Sequence, residues 1–213
     1  MNAVEIKKDV YWVGVKDWNL REFHGYDTPD GSTYNSYLIK DDKITLVDGV
    51  KSYLTDEQIA RISSVVDFSK ISYLVVNHVE QDHSGSIPKI MSLAPQAVIV
   101  TNNAGKLALE AHFDTTGWTY HLVKTGDTLS IGRRTLSFLT TPMLHWPDSM
   151  MTYVAEDKLL LPNDGFGQHL CCEALFVKDY QRDLVVKAAK SYYANILMPF
   201  GMQAEKALTS AGE

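Results

Sequence analysis

Metal-binding side chains are concentrated in one short segment, which carries His78, Glu80, Asp82 and His83 within six positions. The segment follows the apolar run 71–76, which is typical of a buried strand. Proteins with α/β folds usually place their sites at the carboxyl ends of such strands. Clustered ionisable groups beside a buried strand cost desolvation energy unless a cation compensates their charge. The segment therefore predicts a metal site, with a solvated surface loop as the alternative.

Two further segments repeat this arrangement of an apolar strand followed by a polar loop. His145 lies in the loop after the strand-like run 134–139, and Asp164 lies shortly after the apolar run 159–161. Because three strand ends carry ligand-type side chains, we expect them to share one rim of the fold.

The spacing of the first segment constrains which of its side chains can meet. In an extended chain alternate residues share a side, so His78, Glu80 and Asp82 would point the same way. His83 would reach the same place only if the chain bends, and Gly85 can supply such a bend. His83 is therefore either a metal ligand or a hydrogen-bonding residue behind the ligands.

Composition limits the class of protein. The 213 residues are 45% hydrophobic and 22% charged, which is ordinary for a globular protein of one large domain or two small ones. The net charge of −6 argues against a nucleic-acid partner, and no apolar run is long enough to predict a membrane span. Cys171 and Cys172 are adjacent, which disfavours a mutual disulfide and favours reduced thiols in a cytoplasmic protein. A thiolate metal ligand is the alternative for these cysteines.

Apolar patterning predicts two β-rich portions, each accompanied by helices, and hence two packed sheets in an αβ/βα sandwich. Strands are predicted at 10–15, 35–39, 44–48, 71–76, 97–100, 120–123, 128–131, 135–139, 151–154 and 158–161. Helices are predicted at 54–66, 86–93, 104–112, 181–195 and 203–211.

The order His-x-Glu-x-Asp-His, then a distant His and a distant Asp, resembles the ligand pattern of the flavodiiron proteins. These proteins resemble metallo-β-lactamases in fold but carry two irons. The likeness runs from near the first residue to the last, and it includes the segments 17–18, 23–25, 33–38, 143–150, 163–169 and 192–196.

The resemblance implies an α/β, metallo-β-lactamase-like fold and a role for each candidate residue. One iron would be held by His78, Glu80 and His145, the other by Asp82 and His83, and Asp164 would bridge them. His24 and Tyr193 would lie near the pocket and donate hydrogen bonds to bound O₂ or NO, with structural roles as the alternative. Trp146 would face an FMN of the partner subunit, or else pack in the core. Asp48 would support the metal loop or sit in an ordinary turn. His169 follows Asp164 closely in the sequence, and we expect it to lie behind the ligands or to be structural.

The implied function is reduction of O₂ to water, of NO to N₂O, or both, with electrons from FMN and a rubredoxin-type donor. Hydrolytic relatives of the fold have a histidine where Glu80 stands, and a carboxylate there suits iron better than zinc. Because zinc enzymes with two histidines and a glutamate exist, a zinc hydrolase stays open as the alternative.

The family pattern also contains one more histidine on a final strand and a flavodoxin-like FMN domain. The last histidine here is His169. We therefore expect residues 1–213 to be a single diiron domain that is incomplete at its C-terminus, with FMN bound only in the parent protein. A head-to-tail homo-oligomer is expected for the parent, and self-association for the chain itself. An inactive, truncated domain is a further alternative.

Overall fold

The computed structural model describes residues 1–212, which form strands and helices in two packed layers of sheet. The strands are β1 (Val4–Lys7), β2 (Val10–Trp12), β3 (Val15–Asp17), β4 (Glu22–Phe23), β5 (Tyr26–Asp27), β6 (Ser32–Tyr34), β7 (Tyr37–Ile39), β8 (Ile44–Val47), β9 (Ile71–Val75), β10 (Val98–Thr101), β11 (Thr119–Leu122), β12 (Thr128–Ser130), β13 (Thr135–Thr140), β14 (Met150–Val154) and β15 (Leu159–Leu161). The helices are α1 (Thr55–Ser63), α2 (Gln81–Ser84), α3 (Ile87–Leu93), α4 (Asn103–His112), α5 (Arg182–Tyr192) and α6 (Gly201–Gly212).

The larger sheet has seven strands in the order β1-β2-β7-β8-β9-β10-β11. Strands β8 to β11 run parallel to one another, and β1, β2 and β7 pair antiparallel on one side of them. Parallel strands are buried on both faces, which explains why β8, β9 and β10 are nearly continuous apolar runs.

Alternation along the strands divides the core into two layers. Leu46 and Leu74 face the helices α1, α3 and α4, whereas their neighbours Val47 and Val75 face the second sheet. That second sheet is antiparallel in the order β12-β13-β14-β15, and it contributes Phe138 to the shared core. Helices α5 and α6 cover the other side of this sheet. The predicted αβ/βα sandwich is therefore confirmed.

The predicted strand 10–15 is wrong, because the chain changes sheets within it. β2 belongs to the large sheet, whereas β3 pairs with β6 in a separate two-stranded sheet. Gly14 lies at the change, where a Cβ atom would stand 2.1 Å from the carbonyl oxygen of Tyr34. Only glycine permits so close an approach of two backbones.

The predicted helix 181–195 also ends early. α5 stops at Tyr192, and the chain continues as a π-helical turn over Tyr193–Leu197. Among residues 1–212, no helix combines the length and apolarity that crossing a membrane requires.

Candidate metal centre

The predicted metal ligands lie in loops that follow the carboxyl ends of strands in both sheets. The loop after β9 carries His78, Glu80, Asp82 and His83, while His145 follows β13. Asp164 lies in a 3-10 turn just after β15. The strand order brings these loops to one rim, as the sequence predicted.

The loop after β9 is not extended throughout, which corrects the prediction from spacing. Glu80 is extended, with φ −54° and ψ 143°, but α2 begins at the next residue. Asp82 and His83 therefore lie on one helical turn, and this turn supplies the bend. Gly85 has a right-handed helical conformation, so it does not supply the bend. Glycine is needed there for close packing, because a Cβ atom would be 2.6 Å from the Ser52 nitrogen.

Four side chains converge tightly enough to hold one metal ion. One ligand atom from each of His78, Glu80, His145 and Asp164 lies within 4.8 Å of the others. Glu80 Oε2 is 3.3 Å from His78 Nε2 and 3.4 Å from His145 Nε2. Asp164 Oδ2 closes the group at 3.5 Å from His145 Nε2.

A second group lies on the other side of Asp164. His83 Nε2 is 2.9 Å from Asp164 Oδ1 and 3.2 Å from Asp82 Oδ2. The two oxygens of the Asp164 carboxylate thus face different groups of ligand-type atoms. A carboxylate that bridges two metal ions needs this arrangement.

The geometry of these donor atoms suits metal coordination better than hydrogen bonding among themselves. His83 Nε2 and His145 Nε2 are buried close to carboxylate oxygens, yet neither makes a hydrogen bond of acceptable geometry. Buried polar atoms without partners are rare in native proteins and call for an explanation. Imidazole nitrogens and carboxylate oxygens aimed at common points are the donors that iron, manganese or zinc would take.

Without a metal ion, protons compensate the charges of the site. Burial opposes the charged form of His78, but hydrogen bonds with Asp148 and Glu80 outweigh it and raise its pKa to about 10. Burial likewise opposes charge on His145, whose contacts with Asp164 and Glu80 raise its pKa to about 9. Burial raises the pKa of the Glu80 and Asp164 carboxyls less than the neighbouring histidines lower it, so both lie below their usual range.

These shifts predict opposite pH dependences for stability and for metal binding. The raised pKa values of His78 and His145 stabilise the metal-free chain fully below pH 6.5, and this stabilisation is lost as the pH rises through about 9 to 10. Metal ions need the deprotonated nitrogens, so metal affinity should rise over the same range. Thermal melting of the metal-free chain and metal titrations at both ends of this range measure the two trends. The variant His145→Gln should flatten both, and metal-free stability that rises with pH would contradict the charge assignment.

Asp148 is the residue that sequence reasoning missed. It is 2% exposed, and its Oδ2 lies 3.1 Å from His78 Nδ1 while accepting the Val79 N–H at 2.7 Å. The carboxylate therefore holds the ring that presents Nε2 to the candidate site. The only feature of the sequence that could have pointed to Asp148 is its position in the same loop as His145.

Asp48 supports the same loop from the end of β8. Its carboxylate accepts the backbone N–H of Asn77 at 2.7 Å and the Asn77 side-chain amide at 2.9 Å. Asp48 has φ 58°, a left-handed conformation that is uncommon outside glycine. His24, Met143 and Asn163 have similar positive φ angles and lie in or beside the site loops, whereas Asp9 and Lys158 have them in turns elsewhere. Backbone strain of this kind is typical of functional sites.

The remaining predicted site residues fall into different environments. His24 lies beside the four-residue group, with its Nε2 2.7 Å from Glu80 Oε1. Trp146 packs edge-on against His78, with 5.4 Å between the ring centroids. Tyr193 is 44% exposed and its hydroxyl lies beside Gly201, so in this structure it does not face the candidate site. Its neighbour Tyr192 is buried and lines a cavity of about 170 Å³ together with three of the candidate ligands, Asp82, His83 and Asp164.

His169 and the cysteines lie outside the four-residue group. Burial and the nearby His24 lower the pKa of His169 to about 4, so its imidazole is neutral at pH 7. Cys171 and Cys172 are free thiols, and burial raises the pKa of Cys171 to about 11. Neither cysteine belongs to the described group of candidate ligands, so the structure gives the thiolate alternative no support.

Comparison with known proteins places this chain in a family. The family description "ODP family beta lactamase" matches residues 33–208, which include every candidate metal ligand. The chain belongs to this family.

Relatives of this ODP-family chain include flavodiiron proteins and reductases. It is 49% identical over 199 residues to a nitric oxide reductase of Moorella thermoacetica, covering 92% of the chain and 50% of the relative. It is 43% identical over 209 residues to the rubredoxin-oxygen oxidoreductase of Megalodesulfovibrio gigas, covering 98% and 52%. The crystal structure of the flavodiiron protein from Giardia intestinalis superposes with a TM-score of 0.97 at 40% identity, covering 100% of this chain and 52% of that one.

The resemblance to flavodiiron proteins is therefore confirmed. The ODP-family chain spans about half the length of the curated relatives that it matches. Activities named for those relatives belong to longer proteins.

Proposed function

We propose that this chain is the metal domain of a flavodiiron oxidoreductase, which holds two iron ions for the reduction of NO or O₂. The observation that carries the proposal is the position of Asp164, whose two oxygens face separate groups of donor atoms. One site would be formed by His78, Glu80 and His145, the other by Asp82 and His83, with Asp164 shared.

The donor set favours iron over zinc. Three carboxylates, Glu80, Asp82 and Asp164, accompany three imidazoles, and such oxygen-rich sets suit iron or manganese. Their negative charge also favours the higher oxidation state of a redox metal. When bound, the two ions would supply one electron each and open positions for the gas. The names of the relatives, nitric oxide reductase and rubredoxin-oxygen oxidoreductase, support a reductase rather than the zinc hydrolase alternative.

Residues around the ligands would orient them and limit access of water. His24 Nε2 engages Glu80 Oε1 at 2.7 Å, so His24 would hold this carboxylate in place. Because that nitrogen is occupied, the donation from His24 to bound gas that the sequence predicted would require its release. Half-buried Trp146 packs edge-on against His78 and would shield that side of the site.

The partners follow from the relatives and are part of the proposal. O₂ or NO would be the substrate, and a rubredoxin-type protein would deliver electrons through the FMN of the parent protein. Contact of Trp146 with that FMN, a head-to-tail homo-oligomer and a cytoplasmic location stay predictions from the sequence.

Iron loading and a single turnover test the proposed function. Coupling of two NO to N₂O consumes two electrons and two protons and releases one water, and two ferrous ions hold those two electrons. After anaerobic loading with ferrous iron, we expect two irons per chain by metal analysis and N₂O after mixing with NO. The zinc-loaded chain is the matched control, because it keeps the fold but carries no electrons. Tight retention of two zinc ions, with no NO consumed by the iron-loaded protein, would refute the reductase.

A further inference from the structure

Beside the candidate metal centre lies a cluster of buried polar atoms that have no hydrogen-bond partner among residues 1–212. They are His24 Nδ1, Tyr26 Oη, Thr28 Oγ1, His169 Nε2 and Tyr192 Oη. His169 is at the middle of the cluster, with ring centroids 5.4 Å from Tyr192 and 5.8 Å from both Tyr26 and His24. Nearly all buried polar groups in proteins are hydrogen-bonded to protein or to ordered water. Such a concentration of unpaired groups points to partners from outside the chain.

Two cavities meet at His169 and give those partners room. The inner cavity, of about 170 Å³, extends from His169 and Tyr192 to the carboxylates Asp82 and Asp164. The outer cavity, of about 80 Å³, is lined by His169 and Tyr26 and by residues of α5. A water molecule needs roughly 10–15 Å³ of such cavity space, so both cavities can hold water.

The outer cavity reaches the surface between the 26–30 segment and α5. Its lining includes the exposed residues Asp27, Asp30 and Lys187. Thr28, which is 2% exposed, turns its unpaired hydroxyl inward from the same segment. Polar groups thus continue from solvent to the candidate ligands, with His169 at the junction.

We infer that water held along this line carries protons from solvent through His169 and Tyr192 to the metal centre. The inference rests on the proposed function, in which two NO, two electrons and two protons give one N₂O and one water. Bound metal ions would supply the electrons. Ionised carboxylate ligands would carry no proton, and the Nδ1 proton of the ligand His78 is held by the buried Asp148. The protons must therefore come from solvent.

The groups on the path are able to relay protons in either direction. The His169 Nδ1 lies 3.0 Å from Ser32 Oγ, and its Nε2 is free to face the cluster. A neutral imidazole donates at one nitrogen and accepts at the other, and tyrosine hydroxyls and water also do both. Asp27 and Asp30 would collect protons at the outer mouth, and the path ends at the inner cavity beside Asp164.

The variants Tyr192→Phe and Tyr26→Phe test the path, because each removes one hydroxyl and keeps the ring. NO binding to the ferrous-loaded chain needs no proton, so its rate in stopped flow should stay unchanged. Formation of N₂O should slow about tenfold or more, because a positioned proton-transfer group typically contributes at least a hundredfold and water replaces part of it. Tyr153→Phe, on the exposed face of β14, is the matched control and should change neither rate.

Two kinetic outcomes would overturn the inference. Unchanged N₂O formation in both test variants would show that the protons take another route. Slower NO binding in the variants would show that the cavities admit the gas rather than protons.

A measurement without metal separates this inference from the proposed function. High-resolution crystals of the metal-free chain should show ordered water within hydrogen-bond distance of Tyr192 Oη and His169 Nε2. A dry cluster would overturn the path whatever the activity of the protein. If the ordered water is present but the iron-loaded chain without substitutions forms no N₂O, the result would instead count against the proposed reductase function.

Discussion

Replacing Asp164 with asparagine should abolish the two-metal centre. The Asp164 carboxylate presents one oxygen to His83 and the other to His145. An asparagine amide has the same shape, but only one oxygen, and its NH₂ would face one of the two imidazoles. The loss of charge also leaves the mutual repulsion of two cations less compensated.

We expect stoichiometry to fall from two metal ions to at most one. Changes behind metal ligands cost about 10- to 100-fold in affinity, so loss of a shared ligand should cost the remaining ion at least about a hundredfold. Metal analysis and competition with a chelator measure both effects. Asp183→Asn is the matched control, because Asp183 is exposed in the first turn of α5. Two tightly bound ions in Asp164→Asn would rule out the bridging role.

Much of the candidate site was predictable because the end of a strand determines where the next loop begins. The apolar runs that became β9, β13 and β15 specify where each strand stops. The polar residues after them must then emerge at one rim of the sandwich. This rule and the family pattern together predict that His78, His145 and Asp164 converge, and the prediction needs no knowledge of their contacts.

The local path of the chain was less predictable. α2 has only four residues, too few for a hydrophobic period to show, so the loop of Asp82 was expected to be extended. The change of sheet at Gly14 depends on a backbone approach of Tyr34, which is distant in sequence. Such tertiary contacts leave no local pattern.

The choice between Tyr192 and Tyr193 shows a similar limit. Neighbouring residues on a helix point about 100° apart, so an error of one position moves a side chain from core to surface. Here α5 gives way to a π-helical turn at Tyr193, and Tyr192 is the one that lines the inner cavity. A hydrogen bond from Tyr193 to bound gas stays a prediction that this arrangement does not favour.

Replacing Asp148 should weaken metal binding although this residue touches no metal position. A carboxylate oxygen accepts hydrogen bonds, so Asp148 holds a proton on His78 Nδ1. Nε2 faces Glu80 and Asp164, where a metal ion would replace its proton. The charge also makes the imidazole a better ligand. For Asp148→Asn we expect about a 10- to 100-fold loss of metal affinity with the fold retained.

Comparison with Asp148→Ala separates the effect of Asp148 on the orientation of His78 from its effect on folding stability. It leaves the His78 Nδ1–H and the Val79 N–H without an acceptor in a buried position. Each such orphaned donor costs about 1–3 kcal/mol of folding free energy, so urea unfolding should show a clear loss. The asparagine variant keeps an oxygen for Val79 and should lose less stability than affinity. Nitrogen NMR of the metal-free chain should report a lower pKa for His78 in both variants, because the charged hydrogen-bond partner that helps to raise it is lost. If Asp148→Asn binds metal as tightly as the chain without substitutions, then other contacts orient His78, and the Asp148 carboxylate contributes only to folding stability.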